Sequence, residues 1–175
     1  MSAIQVFPSI KGEWWDEYWE RDSSGLLMPV HTSKVKPNTK MDDANILMAA
    51  VFANSLSGIL QHAQGRGDAG WGGSPPAVST SDTTLFDEAD RNPPDSIVFL
   101  DAFDVVVAGP TNIIRVRTTY LEAELVGETL REQALFGGNA TSTTDSGIIV
   151  NVIRHGPIFK SGDLALVRNI KLTFS

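Results

Sequence analysis

Apolar and polar residues alternate along much of the second half of the sequence. From Leu164 to Phe174 every second residue is apolar except Arg168, and a shorter alternation runs from Ile114 to Tyr120. A period of two predicts strands with one buried face. Further strands are predicted at Ser96–Leu100, Asp104–Val107, Thr129–Phe136 and Ile148–Arg154. Short turns separate these segments and no helical pattern lies between them, so we predict an antiparallel β-sandwich or partly open barrel over residues 96–175.

The alternation changes phase inside the segment from Thr111 to Leu125. Apolar residues keep one parity up to Tyr120, whereas Leu121, Ala123 and Leu125 keep the other. One extra residue in a strand re-aims every side chain after it. The sequence therefore predicts a β-bulge in this segment.

The first half has helical spacing instead. In residues 12–22, Trp15, Tyr18 and Trp19 fall at positions i, i+3 and i+4, which predicts a short helix with an aromatic stripe. Trp14 and Trp71 complete the group of aromatic residues that we expect at an interface between subunits, because Trp and Tyr dominate such contacts. The alternatives are that the stripe packs on the protein's own core or forms a platform for carbohydrate.

A longer helix is predicted over residues 40–63. Thr39 and Asp42 resemble a capping box, apolar residues follow helical spacing as far as Leu60, and Gly65 is placed to end the helix. The sequence thus predicts a mainly β protein with an amino-terminal helical segment.

Residues 65–84 (GRGDAGWGGSPPAVSTSDTT) contain five Gly, two Pro and six Ser or Thr. Such a segment has little to bury against the entropy cost of ordering it, so we predict an extended arm that other chains would order. The resulting division is a helical segment at 1–64, an arm or linker at 65–95 and a β domain at 96–175.

Arg168 lies on the otherwise apolar face of the last predicted strand. A buried guanidinium needs a carboxylate partner, because an unpaired buried charge is costly. Glu132 is our candidate for a structural ion pair, with Glu124 as a second choice. The alternative is that Arg168 reaches solvent at the edge of the strand.

The composition argues against several classes of function. The net charge of −7 argues against a nucleic-acid partner, and the absence of cysteine excludes disulfides, thiolate metal sites and cysteine nucleophiles. The first thirty residues lack the basic start and apolar run of a signal peptide, and no stretch approaches the ~20 apolar residues of a membrane helix.

No pattern of catalytic residues stands out. His31, His62 and His155 lack metal-binding spacing, and Glu122 and Glu124 lie on the polar side of the alternation, as in a solvated face. There is no nucleophile elbow and no dinucleotide fingerprint. We therefore expect no enzyme activity, no metal and no cofactor.

The stretch from Asn112 onward resembles a class of small tailed-bacteriophage virion proteins. The similarity lies in an E-x-(G/A)-L-F step, EQALF at 132–136 with Ala134 where Gly is frequent, and in a strand that closes on LTF at 172–174. The resemblance implies a structural role in the neck, collar or tail, including fibre attachment. It also implies assembly in the host cytoplasm as a homo-oligomer with other virion proteins.

Two other functions stay open. A capsid decoration (cement) protein would share the small β fold and the extended arm. A carbohydrate- or receptor-binding module would instead present loops such as Gly137–Gly147, although this loop contains no aromatic residue.

Overall fold

The computed structural model describes residues 10–41, 43–44, 48, 51 and 55–174. Within these residues the protein is mainly β, with eleven strands. The strands are β1 Ile10–Arg21, β2 Leu27–Thr32, β3 Lys36–Lys40, β4 Ser57–Gly65, β5 Glu88–Asn92, β6 Ser96–Leu100, β7 Val106–Val107, β8 Ile113–Tyr120, β9 Thr129–Gly138, β10 Ile148–Phe159 and β11 Ala165–Phe174. Ala69–Trp71 forms a 3-10 helix, and helical backbone is also found at Asp43, Ala44, Met48 and Val51.

The strands follow one hydrogen-bonded path in the order β5-β4-β9-β10-β3-β1-β11-β8-β6-β7, with β2 paired to β1. Every pairing among the described strands is antiparallel. The short strand β3 joins two groups of strands, because its residues 36–38 pair with β1 and its residues 39–40 pair with β10. The open antiparallel sheet is thus continuous through β3.

The main apolar cluster collects side chains from both groups of strands. It includes Trp14 of β1, Val116 of β8 and Ile170 of β11 together with Leu135 of β9 and Ile153 of β10, all at most 3% exposed. Each such side chain contributes about 1.5–3 kcal/mol when it leaves water. Burial between the inner faces of the two groups therefore holds them together.

The helix predicted over residues 12–22 is wrong, because residues 12–21 belong to β1. The aromatic residues obey the strand period instead: Trp14 and Tyr18 contact core clusters, whereas Trp15 and Trp19 lie with the opposite parity. Pairing with β11 from Ile10 to Trp19 outweighs a weak helical spacing.

The helix predicted over residues 40–63 is wrong at both ends. Lys40 is the last residue of β3, and β4 starts at Ser57. Between them, residues 42, 45–47, 49–50 and 52–54 lie outside the described residues. Strand β4 pairs along both edges, with β5 and β9, so its backbone groups are satisfied by neighbours that are remote in sequence.

The strands predicted in the second half are confirmed, since β6, β7, β8, β9, β10 and β11 all overlap the predicted segments. The predicted bulge is wrong. Strand β8 ends at Tyr120, and Leu121 then begins a turn in which the amide of Glu124 donates to its carbonyl oxygen. The change of phase in the sequence therefore marks the end of a strand.

Residues 65–84 are held by contacts within the same chain. Arg66 donates to Glu128 at 2.7 Å, and Arg154 of β10 donates to the carbonyl oxygen of Ala77 at 3.1 Å. The Arg154 guanidinium also lies 5.0 Å from the centre of the Trp71 ring. Contacts within the chain therefore hold the arm, whereas the sequence analysis predicted that other chains would order it.

The predicted division at residues 64 and 95 does not follow the hydrogen bonding. Strand β1 pairs with β11, and strand β4 pairs with β9. Strands from the first 65 residues are thus built into the same sheet as those from residues 129–174.

Candidate functional site

A buried ion pair connects β1 with β11. Arg168 and Asp16 are register partners, and Arg168 Nη1 lies 2.7 Å from both carboxylate oxygens of Asp16. Both side chains are at most 1% exposed. Burial raises the pKa of Asp16 above its usual value, and the positive charge of Arg168 opposes this rise.

His155 of β10 completes this cluster. Its Nδ1 donates to the carbonyl oxygen of Gly156 at 2.7 Å, so its Nε2 is free to accept from Arg168 Nη2 at 3.4 Å. Its ring lies 5.2 Å from the ring of Trp14. Burial, aided by the charge of Arg168, lowers the pKa of His155 to about 3, which keeps the imidazole neutral.

His62 bridges β4, β8 and β9 inside the core. Its Nε2 donates to Gln133 Oε1 at 2.9 Å, and its Nδ1 accepts from the Thr118 hydroxyl at 3.0 Å. The Tyr120 hydroxyl donates to the carbonyl oxygen of His62. Burial and the charge of Arg168 lower the pKa of His62 to about 3. This neutral network has the character of structural packing, because the side chains that form it are 0% exposed.

The predicted pair of Arg168 with Glu132 is wrong. Glu132 lies on β9, where its Oε1 accepts from the amide of Asp87 at 2.9 Å and its Oε2 lies 3.9 Å from Arg154 Nε. Arg168 is instead neutralised by Asp16, a residue that the sequence analysis assigned to a helix. Burial raises the pKa of Glu132, and hydrogen bonds from backbone amides oppose this.

Two of the tryptophans predicted at an interface lie on the outer face of β1. Glu17 lies between them and accepts from Trp15 Nε1 at 3.4 Å and from Trp19 Nε1 at 3.1 Å. The side-chain amide of Asn169 donates to the same carboxylate at 3.1 Å. Glu17 thereby fixes the orientation of both indole rings.

Three cations lie beside these rings. Arg115 of β8 is the register partner of Lys171, and Arg117 is the register partner of Asn169. Lys171 Nζ is paired with Glu13 at 2.5 Å and with Asp104 at 3.2 Å. The guanidinium of Arg117 lies 5.4 Å from the Trp19 ring centre.

Two adjoining concavities open on this face, and we call them together the outer-face groove. The first, of about 230 Å³, is lined by residues that include Trp15, Ser33, Val35, Arg115 and Lys171. The second, of about 160 Å³, is lined by Glu17, Trp19, Arg115, Arg117 and Asn169. Arg115 lines both concavities and is their common element.

The sequence contained a signal for this site. Arg115 and Arg117 stand two apart in the strand motif IIRVRTTY, so they share one face. Their neighbours could not be predicted, because the assignment of residues 12–22 to a helix removed Trp15 and Trp19 from the sheet.

The remaining predicted interface residues are less available. Trp14 is only 2% exposed within its own chain, so it cannot meet a partner without unfolding β1. Tyr18 packs against the cluster of Tyr120, Leu130 and Leu166. Trp71 is half-buried, with its ring 5.5 Å from that of Phe86.

A different set of apolar side chains is open to solvent. It lies on β6, β7 and the turn between them, and we call it the hairpin patch. Phe103 is 87% exposed, and the other members are Ile97, Phe99, Val105 and Val106. Strand β7 pairs only with β6 among the described residues, so its outer edge is open.

Other classes of site find little support in the described part of the chain. It has no group of three or more His, Asp or Glu side chains placed to hold a metal ion. The described helical segments are too short or too polar to cross a membrane.

No family model matches the sequence, and neither a curated protein nor a solved structure matches the chain.

Proposed function

We propose that this protein is a structural subunit of a tailed-bacteriophage virion, in its neck, collar or tail, including fibre attachment. It would assemble in the host cytoplasm by packing on copies of itself and on other virion proteins. The proposal joins the similarity of residues 132–136 and 172–174 to such proteins with one structural observation, the hairpin patch.

The hairpin patch has the features of a protein-binding surface. Its five apolar side chains lie between residues 97 and 106, with Ile97 and Phe99 on one face of the hairpin and Val106 on the other, and Phe103 is the most exposed of them. Monomeric proteins rarely leave such clusters in water, and aromatic residues are enriched in interfaces. The open edge of β7 adds unpaired backbone donors and acceptors that another strand can use.

The patch suits packing better than the arm and tryptophans on which the sequence analysis relied. Residues 65–84 and Trp14 are already occupied by contacts with their own chain. The hairpin patch can bind another copy of the chain even though the amino-terminal half packs within its own chain.

For the fold, the proposal is an antiparallel β-sandwich or partly open barrel. It is supported by contacts between strands at a distance along the sheet. The Tyr120 hydroxyl of β8 donates to His62 of β4, and Asn92 of β5 donates to the carbonyl oxygen of Thr119. A sheet that folds over on itself brings these strands together.

Size-exclusion chromatography with light scattering tests the packing role. The wild-type chain is expected to form a discrete oligomer, and the double variant F103S/V105S to be a folded monomer. Phe159, which is 65% exposed and lies on β10, provides the matched control F159S, which keeps the oligomer. A wild-type chain that stays monomeric at every concentration contradicts the proposal.

Quantitative mass spectrometry of purified virions tests the location. Tens of copies or fewer per particle are expected for a neck, collar or tail subunit. Hundreds of copies would favour the capsid decoration alternative, and absence from the particle would contradict both.

The carbohydrate-binding alternative placed the ligand on the loop Gly137–Gly147. Arg91 holds this loop by donating to the carbonyl oxygens of Thr141 and Ser146, and no aromatic side chain is available there for stacking on a sugar. The loop is thus a less suitable platform than that alternative requires.

A further inference from the structure

Arg115 is a cation without a counter-ion. Within the described residues its side chain forms no ion pair and no hydrogen bond, and its Nε is buried from solvent without an acceptor. This Nε–H has lost water and gained no acceptor in return, which costs free energy.

The neighbouring charges increase this cost. Lys171 lies directly opposite Arg115 across β11 and β8, and Arg117 lies two residues along the same face. Like charges in cross-strand register repel each other. Lys171 is neutralised by Glu13 and Asp104, and Arg117 lies 3.8 Å from Glu17, so Arg115 is the cation that lacks an anion.

The surroundings of Arg115 suit a ring that carries a carboxylate. Trp15 borders the groove on one side and Trp19 on the other, and both indoles are held in place by Glu17. The flat apolar face of an indole can pack on the C–H face of a sugar ring. Thr32 and Ser33 supply hydroxyl groups at the groove, which is also lined by the carboxylates of Asp104 and Glu17.

We propose that the outer-face groove binds an acidic sugar, a uronic or sialic acid residue of a glycan. Arg115 receives the carboxylate in a bidentate pair, and Trp15 and Trp19 flank the ring. A planar guanidinium matches two carboxylate oxygens in a way that a lysine does not. This binding role is distinct from the packing role of the hairpin patch, although Leu100 and Asp104 of the same hairpin also line the first concavity.

Size and strand pairing favour a sugar over an acidic peptide. The two concavities, about 230 and 160 Å³, lie below the usual ~300–1,000 Å³ of sites for drug-sized ligands. An extended peptide commonly adds to a free sheet edge. Here β11, which lies between β1 and β8, is paired on both sides, so its own backbone is not free to accept an added strand.

Titration of the intrinsic tryptophan fluorescence tests this proposal. The probes are N-acetylneuraminic acid, a galacturonic acid oligomer, the matching neutral galactose oligomer, a glutamate-rich peptide and sodium acetate. Saturable binding of at least one of the two acidic sugars is expected, at least tenfold tighter than that of the neutral oligomer or of acetate.

Three variants assign the binding to the groove. R115Q and W15A are each expected to weaken binding of the acidic sugar at least tenfold, whereas R66Q removes a distant surface cation and leaves it unchanged. R115Q also relieves the repulsion with Lys171, so its thermal midpoint is expected to equal or exceed that of the wild type. A loss of binding therefore does not reflect unfolding.

Four outcomes would overturn the proposal. They are equal binding of neutral and acidic sugars, binding of the glutamate-rich peptide alone, no binding of any sugar probe, and acidic-sugar binding that survives R115Q. Each leaves the oligomer test of the hairpin patch unaffected, so the two proposals fail separately.

Discussion

Arg168 and Asp16 form an ion pair sealed inside the protein, although 152 positions separate them in the sequence. The pair lies between β1 and β11, and His155 is its third member. It fixes the register of two strands that no turn connects, because a slip by one residue would leave both charges in the core without partners.

Removing one member of this pair is expected to be costly. D16N should lose about 3–5 kcal/mol of unfolding free energy in urea titrations, because Arg168 then stays buried without a counter-ion. The double variant D16L/R168M should recover most of this loss, since well-packed apolar residues often replace a buried ion pair.

The matched control for this experiment is the exposed pair of Arg21 with Glu122. E122Q is expected to change stability by less than about 1 kcal/mol. A D16N loss as small as that of the control would show that Arg168 is not confined to the core in solution.

Two buried histidines make stability depend on pH. The pKa values of His62 and His155 are lowered to about 3, whereas an unfolded histidine titrates near 6.5. The unfolded chain therefore binds more protons below about pH 6.5, and stability is lost as the pH falls. Between pH 7.5 and 5.5 each histidine should remove roughly 1.4 kcal/mol.

Urea titrations of H62Q across this pH range check the prediction. The decrease in stability should be smaller than that of the wild type by roughly 1.4 kcal/mol, and H31Q, which alters an exposed histidine, should keep the wild-type decrease. A wild-type stability that does not change between these pH values would contradict the burial of both imidazoles.

The sequence predicted the second half of the fold better than the first, for a physical reason. Strands β6 and β8 alternate between more exposed and more buried residues, and β11 shows a period of two in its sequence, so the strand period is visible locally. In β4 the buried residues include His62 and Gln64, which are polar and pair with Thr118, Gln133 and Tyr120 from distant strands. No local rule marks such residues as interior.

The same limit explains the errors at the sites. Because β1 was assigned to a helix, Asp16 was not available as a partner for Arg168, and Glu132 was chosen in its place. The sequence shows that Arg115 and Arg117 share one face of β8. Their closeness to Trp15 and Trp19 depends on the pairing of β11 with β1 and with β8, which the sequence does not show.

Arg91 is expected to hold the loop between β9 and β10. Its guanidinium pairs with Glu88, with both side chains 1% exposed, lies 4.5 Å from the Phe136 ring centre and donates to the Ser146 carbonyl oxygen. R91M should cost about 3–5 kcal/mol, because Glu88 is left buried and unpaired. Proteolysis within residues 139–147 should become much faster.

Limited proteolysis followed by mass spectrometry locates the cleavage. K34M, on an exposed lysine, serves as the control and should be cut at the wild-type rate. If R91M and the wild type are cleaved equally in this loop, Arg91 does not order it.

Trp71 is expected to secure residues 72–84 against β10. The ring contacts Phe86 and lies under the guanidinium of Arg154, while Gly67, with φ of +58°, leaves it room. W71A should increase cleavage in this segment at least tenfold, because few other apolar residues hold it. W19A, on another face of the sheet, should not affect this rate. A wild-type segment that is already cut at the rate of W71A would refute the anchoring role.

The pairing of β1 with β11 also has a consequence for synthesis on the ribosome. The strand made early must wait, unpaired along that edge and with Trp14 exposed, until residues 165–174 have left the exit tunnel. The nascent chain thus cannot complete its core until β11 has emerged, and a chain truncated anywhere before β11 would carry an aromatic-rich strand open to aggregation.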